Sequence, residues 1–259
     1  MTKQTEETLA RSLTAESTEL VPFLPYLLQD LWELGANPRD IVKLIKKHIL
    51  SPKDQKILDL ACGKGAVAIE IAKTLNIRVH GVDLVQDFIE SFGQKTKSLN
   101  LSHLCTCECG DANEAVKVHK NYDCVIFAAA GNVLGNPRET FKKLCKTIKP
   151  GGYIIMDEGY LPDNASNNDV KYVNYEYMTK TQWLELFESC GLTLLEEVIN
   201  NEDYDFDSDN KAIQQRANEL IQKHPEKREI FEGYIASQLN ECEDLESNIL
   251  AATWLLKWR

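Results

Sequence analysis

Short apolar runs alternate with longer amphipathic stretches along this 259-residue chain. Runs rich in β-branched and aromatic residues predict strands at 56–60 (KILDL), 77–83 (IRVHGVD), 103–109, 122–129 (YDCVIFAA), 152–157 (GYIIMD), 193–199 and 250–257. Helix-start signals fall between them. Asn136-Pro137 sets a capping side chain ahead of a proline at the first helical position. Asp111 to Glu114 and Thr179 to Gln182 have capping-box spacing. Lys149-Pro150-Gly151-Gly152 reads as the turn that ends one helix and opens the next strand. Alternation of this kind predicts an α/β fold, a seven-stranded, mostly parallel sheet with helices on both faces.

Two regions depart from the alternation. Residues 17–34 and 38–49 predict two helices ahead of the core, separated by Gly35-Ala36-Asn37-Pro38. The stretch at about 200–248 predicts two more, broken near His224-Pro225. The expected organisation is an N-terminal helical cap over 1–50 and one domain over 51–259 with a helical lid insert at about 200–248.

Composition narrows the partners. Forty acidic residues against 29 Lys and Arg give a net charge of −11, which opposes a nucleic-acid backbone. The N-terminal MTKQTEETLARS lacks the apolar centre of a signal peptide. The most apolar candidate span, LVPFLPYLLQDLWEL, is broken by two prolines and Asp30. The expectation is a soluble, cytoplasmic protein.

The eight cysteines form no CxxC pair and read as reduced thiols. Cys105, Cys107 and Cys109 alternate, so on a strand they share one face at roughly 6.5–7 Å per step. Sulfurs closing on zinc must lie within about 4 Å of one another, so packed thiols are expected and no metal site. The aspartates at 203, 205, 207 and 209 suggest calcium, but the sixth and twelfth loop positions hold Ser208 and Gln214 where glycine and glutamate are needed. A solvated acidic loop is expected there. The histidines at 48, 80, 103, 119 and 224 read as structural.

The most informative stretch is ILDLACGKGAVAIEIA, residues 57–72, a strand, a glycine turn and a helix in succession. Gly63-Lys64-Gly65-Ala66-Val67-Ala68 fits a dinucleotide fingerprint, and Asp83 ends the second strand. Asp59 argues against a pyrophosphate, because a carboxylate at that strand end would repel phosphate and be desolvated by it. S-adenosylmethionine, with a cationic sulfonium and an ammonium group, suits the same carboxylate.

The segments LDLACGKGAVAIEIA, VHGVDL, CGDANE, YDCVIFAAAGN and IKPGGYIIMDEGY resemble, in order and spacing, the class I S-adenosylmethionine-dependent methyltransferases. The resemblance covers roughly residues 52–200 and the final strand. It implies a Rossmann-like fold with its last two strands antiparallel, S-adenosylmethionine as cofactor and S-adenosylhomocysteine as product. It further implies that Asp59, Ala61, Gly63 and Gly65 form the turn under the methionine moiety, and that Asp83, followed by Leu84, bonds the ribose hydroxyls. Gly110, Asp111 and the backbone of Ala112 would read the adenine, and backbone groups near Ala128 and Ala129 would hold the methionine amine. Ala61 stands where the family has its first glycine, a swap that is harmless if φ there is not positive.

The acceptor is less legible. AAAGNVLGN lacks the [DNS]-P-P-[YFW] of amino-methylating nucleic-acid enzymes and the Pro-Cys of cytosine C5 enzymes. A small-molecule acceptor is expected, with no nucleic acid, no membrane and the oligomeric state open. Strand topology puts the insert and residues 157–178 near the carboxyl ends of the strands, as a lid. Tyr160, Tyr172, Tyr175, Tyr177, Tyr204 and Tyr234 are candidate lining residues, and Asp157, Glu158 and Tyr160 are candidate catalytic residues. The alternatives are a non-catalytic S-adenosylmethionine sensor or an NAD oxidoreductase.

Overall fold

The computed structural model describes residues 2–49, 55–172, 175–199 and 205–259. The candidate Tyr204, the acidic Asp203 and the expected boundary at residues 50–51 lie outside the described residues. The chain forms two compact units, one of Met1–Trp32, Gly159–Thr181 and Asn200–Ala251, the other of Glu33–Glu158, Gln182–Ile199 and Ala252–Arg259. The sequence-based expectation was a cap over 1–50 and one domain over 51–259 with an insert at about 200–248.

The second unit holds the sheet. Its elements are α3 (Pro38–His48), β1 (Lys56–Leu60), α4 (Ala66–Leu75), β2 (Arg78–Asp83), α5 (Gln86–Ser98), β3 (Cys105–Cys109), α6 (Ala112–Val118), β4 (Tyr122–Ala128), α7 (Pro137–Leu144), β5 (Ile148–Tyr160), α8 (Lys180–Ser189), β6 (Leu192–Ile199) and β7 (Leu250–Trp258), with β5, α8 and β7 reaching their ends across the unit boundaries. The strand order is β3-β2-β1-β4-β5-β7-β6. Strands β1 to β5 pair in parallel and β6 with β7 antiparallel, as the sequence resemblance implied. Strand order reverses at β1 and β4, and in open α/β sheets ligands bind beyond the carboxyl ends of the strands at such a point.

Local chemistry explains the elements. Strands β1 and β4 are apolar almost throughout because both faces are covered by helices. Helix α4 begins at Gly65 and stops at Asn76, whose φ of +56° is a conformation asparagine tolerates better than most residues. Helix α7 carries a complete capping box, with Asn136 and Glu139 bonding each other's backbone N–H groups. At α6, Asp111 caps the N–H of Asn113, while Glu114 pairs with Lys117. The KPGG segment does not end a helix: α7 stops at Leu144, and the segment lies inside β5 as an irregularity, with Tyr122 opposite Ile148 but Cys124 opposite Tyr153. Gly151, at φ +75°, accommodates it.

The first unit is helical. Helix α1 (Lys3–Ser12) was not foreseen, because only Leu9 and Ala10 of it are buried and its apolar pattern is thin. The helix expected over 17–34 is a 3-10 turn at Thr18–Phe23 followed by the one-turn α2 (Leu24–Leu27). Pro22 and Pro25 withhold two N–H donors and prevent a longer helix. Helices α9 (Phe206–Lys223) and α10 (Arg228–Ser247) break at His224 as predicted. The acidic cluster is the start of α9: Asp205 caps the N–H of Ser208, and Asp207 and Asp209 sit in the first turn, where the helix dipole favours negative charge. Asp244 of α10 is fully buried and accepts from the backbone N–H groups of Lys171 and Tyr172 and from the Asn248 amide.

Candidate cofactor site

The chain leaves β1 through a turn in which Ala61, Gly63 and Gly65 all have positive φ, at +55°, +52° and +82°. The non-positive φ expected at Ala61 is therefore corrected. The turn demands the left-handed region there, and an alanine holds it at a cost of about 1 kcal/mol relative to glycine. Gly65 has a second constraint: a Cβ at that position would lie 2.4–2.6 Å from the ring of buried Phe92 on α5.

Asp83 ties this turn to the end of β2. Its Oδ2 accepts from the Gly63 N–H at 2.8 Å and its Oδ1 from the Val85 N–H at 2.9 Å. Its carbonyl accepts from the Gly110 N–H at 2.8 Å, bringing the loop after β3 alongside. Burial raises the Asp83 carboxyl above its ordinary value, and backbone N–H groups of Val85, Gly63 and Leu84 oppose that shift. Asp59, opposite Gly81 on β2, is only 3% exposed. Its Oδ2 has no hydrogen-bond partner among the described residues. Burial, and then the charge of Asp83, pushes the Asp59 carboxyl up to about 8.

Two buried carboxylates with elevated pKa values flank the left-handed turn. A diphosphate would add negative charge to a place that already resists two. A sulfonium, an ammonium group and ribose hydroxyls offer positive charge and donors to open carboxylate valences. The residues present fit S-adenosylmethionine and not a dinucleotide.

The remaining predicted positions lie at or just after the ends of β2, β3 and β4 and along the last residues of β5. Gly110 precedes Asp111, the N-cap of α6, and Ala112 is buried in that helix's first turn. Ala128 ends β4 beside Asp157 of β5, and Ala129, at φ +50°, donates its N–H to the Asp157 carbonyl. Leu84 is half-buried after Asp83. Asp157 itself is buried, and Thr253 of β7 donates to its Oδ2 at 2.6 Å. Burial raises its carboxyl to about 7, with the Thr253 hydrogen bond opposing. Glu158 follows at the end of the same unit. Tyr160 lies in the other unit, buried, with the Lys180 ammonium 5.8 Å from its ring centre.

The tyrosines proposed for the lid have packing roles among the described residues. Tyr172 and Tyr177 form a core cluster with Leu161 and Ile249, Tyr175 packs against it, and Tyr234 is buried on α10. The segment missed by sequence reasoning is Leu34-Gly35. A Cβ at Gly63 would meet Leu34 at 3.1 Å, and one at Gly35, φ +94°, would meet Ala129 at 2.8 Å. These two residues wall the turn and the end of β4. Gly35-Ala36-Asn37-Pro38 signalled a turn, but nothing in it showed which surface the turn meets.

A family model described as a methyltransferase domain matches residues 51–191, more than half of the chain. The chain belongs to this family, and it is a class I S-adenosylmethionine-dependent methyltransferase. A malonyl-[acyl-carrier protein] O-methyltransferase from Marinomonas sp. (strain MWYL1) is 26% identical over 185 residues, 67% of each chain. The putative methyltransferase YqeM from Bacillus subtilis (strain 168) is 31% identical over 110 residues, 41% of this chain and 43% of that protein. The match thus spans less than half the length of the latter. Among solved structures, a SAM-dependent methyltransferase from Geobacter sulfurreducens in complex with S-adenosyl-L-homocysteine is similar at a TM-score of 0.76. It is 18% identical, with 92% of this chain and 98% of that one covered. No helix among the described residues is long and apolar enough to cross a membrane.

Proposed function

We propose that this chain transfers a methyl group from S-adenosylmethionine to a small-molecule acceptor, and that the turn between β1 and α4 is where the donor binds. The bound donor supplies an electrophilic methyl on a sulfonium. The carrying observation is the pair of buried carboxylates, Asp59 and Asp83, one with an open oxygen, beside a turn of three left-handed residues. In this reading Asp83 takes the ribose hydroxyls and Asp59 balances the positive charge of the methionine moiety. Asp111, Ala112 and Gly110 border the adenine, and the backbone at Ala128 and Ala129 meets the amine. Leu34 and Gly35 exclude water from the turn. Methyl transfer is an in-line displacement, so holding the two reactants at about 3–3.5 Å accounts for much of the rate.

Where the acceptor must lose a proton, Asp157 is the base we assign, because its pKa of about 7 suits proton transfer near neutrality. Glu158 and Tyr160 are second choices. The absence of nucleic-acid motifs and the net charge of −11 support a small acceptor. The test is calorimetric titration with S-adenosylhomocysteine, followed by turnover across fractionated metabolites with S-adenosylhomocysteine release as readout. Binding with turnover in one fraction supports the reading. Binding without turnover in any fraction indicates a sensor, and NAD displacing S-adenosylhomocysteine overturns the cofactor assignment.

A further inference from the structure

Two histidines and a carboxylate meet on the face of the sheet away from the cysteine row. His80 comes from β2, Glu108 from the edge strand β3, and His119 is the C-cap of α6. His80 pairs with Thr106 and Val82 with Glu108, so His80 and Glu108 project from one face of the two strands. Cys105, Cys107 and Cys109 project from the other, their thiols directed at the carbonyls of Ala68, Ile89 and Leu84. One potential ligand atom from each of His80, Glu108 and His119 lies within 4.8 Å of the other two.

The hydrogen bonding of the cluster is incomplete. His119 Nε2 lies 2.8 Å from Glu108 Oε1, but His80 Nε2 stands 3.8 Å from the same oxygen. That His80 nitrogen is buried with no hydrogen-bond partner among the described residues. Burial, and then the neighbouring His119, lowers the His80 pKa with Glu108 opposing, and the His119 hydrogen bond lowers that of Glu108. The outer ring nitrogens are both held, His80 Nδ1 by the Thr106 hydroxyl at 2.8 Å and His119 Nδ1 by the Tyr122 hydroxyl at 3.4 Å. Histidines that bind metals are oriented in this way, through the nitrogen that does not coordinate.

We propose that His80, Glu108 and His119 bind a divalent transition-metal ion, Zn²⁺ being the ion that two imidazole nitrogens and one carboxylate oxygen suit best. Tetrahedral zinc at ordinary bond lengths sets its ligand atoms about 3.3 Å apart. The contacts of 2.8 and 3.8 Å straddle that spacing, and the Glu108 side chain, 49% exposed, is free to adjust. The ion replaces the proton between His119 and Glu108 and gives His80 Nε2 its missing partner, and water takes the fourth position. The three ligands join β2 and β3, which lead into Asp83 and Gly110, to the far end of α6, whose N-cap is Asp111. The site is therefore a staple behind the cofactor-binding loops and takes no part in methyl transfer.

The test uses the full chain, stripped with a chelator and titrated with Zn²⁺ against a chromophoric competitor. One equivalent is expected to bind, with a melting temperature that rises with Zn²⁺ concentration. His119→Ala and Glu108→Gln should each weaken binding by at least about 10-fold. The triple variant Cys105→Ser/Cys107→Ser/Cys109→Ser should retain the site. Because His80→Ala opens a gap beside the sheet, circular dichroism accompanies it, and Co²⁺ bound to the unaltered chain gives an independent readout. Four-coordinate d–d bands without a thiolate charge-transfer band support the proposal. No stoichiometric Zn²⁺, binding untouched by His119→Ala, or a thiolate band with Co²⁺ overturns it.

Discussion

Asp59 in the sheet unit and Asp244 in the helical unit are both buried carboxylates, at 3% and 0% exposure, and their surroundings differ. Asp244 accepts from two backbone N–H groups and an amide, which fasten the segment at Lys171 and Tyr172 to α10. Asp59 keeps one oxygen without a partner and has its pKa raised to about 8. A carboxylate that organises the chain is saturated by the chain. A carboxylate left open at the carboxyl end of a parallel strand, beside a second acid, is prepared for something the chain does not supply.

Four variants bear on this contrast. Asp83→Ala removes the acceptor for the ribose hydroxyls and should lower S-adenosylhomocysteine affinity by roughly 10²–10³-fold in calorimetry, two hydrogen bonds to a charged group being lost. An unchanged affinity would remove Asp83 from the site. Asp244→Ala strands the N–H groups of Lys171 and Tyr172 and should cost about 2–3 kcal/mol in denaturant unfolding. It should leave cofactor affinity within about twofold, since that carboxylate is taken up by Lys171, Tyr172 and Asn248 of its own unit.

Asp59→Asn keeps the shape and removes the charge. It should weaken S-adenosylmethionine by about 10-fold, and S-adenosylhomocysteine, which lacks the sulfonium charge, by less. The same variant has a signature in the free protein. A folded-state pKa raised from 3.8 to about 8 means that protonated Asp59 stabilises the fold fully below about 4, and that this contribution is lost as pH rises toward 8. Asp157, raised to about 7, acts in the same direction over a lower window. The free wild-type chain should therefore lose melting temperature between pH 6 and 9 by more than Asp59→Asn does, and equal losses would mean that Asp59 is already paired. The smallest effect belongs to Ala61→Gly, which relieves φ +55° and should stabilise the chain by about 1 kcal/mol or less in the same unfolding experiment.

How far the sequence was legible follows from the range of the interactions. The strands and the turn from Asp59 to Gly65 were legible because they rest on local patterns, β-branched runs, caps and glycines, whereas the antiparallel last pair was implied by the family resemblance alone. The φ of Ala61 was not legible, because residue type alone favoured the opposite conformation and the turn overrode it. Leu34 and Gly35 were missed because their role is set by a tertiary approach to Gly63 and Ala129. Two prolines broke the helix expected over 17–34, a rule that was available and outweighed by the length of the apolar run. His80 and His119 looked ordinary because each is alone in its own element. Only the pairing of β2 with β3 and the end of α6 bring them together.

The interleaving of the two units also has a consequence for how the molecule comes into being. The chain passes between the units after residues 32, 158, 181, 199 and 251, so no single cut separates them. A truncation after Ile199 would remove α9 and α10 but also β7, the strand that lies between β5 and β6. The helical unit is assembled from three distant stretches, and their closure entropy must be met before its contacts form. Its three stretches are made at separate times, so the helical unit cannot close until the one ending at Ala251 has been synthesised.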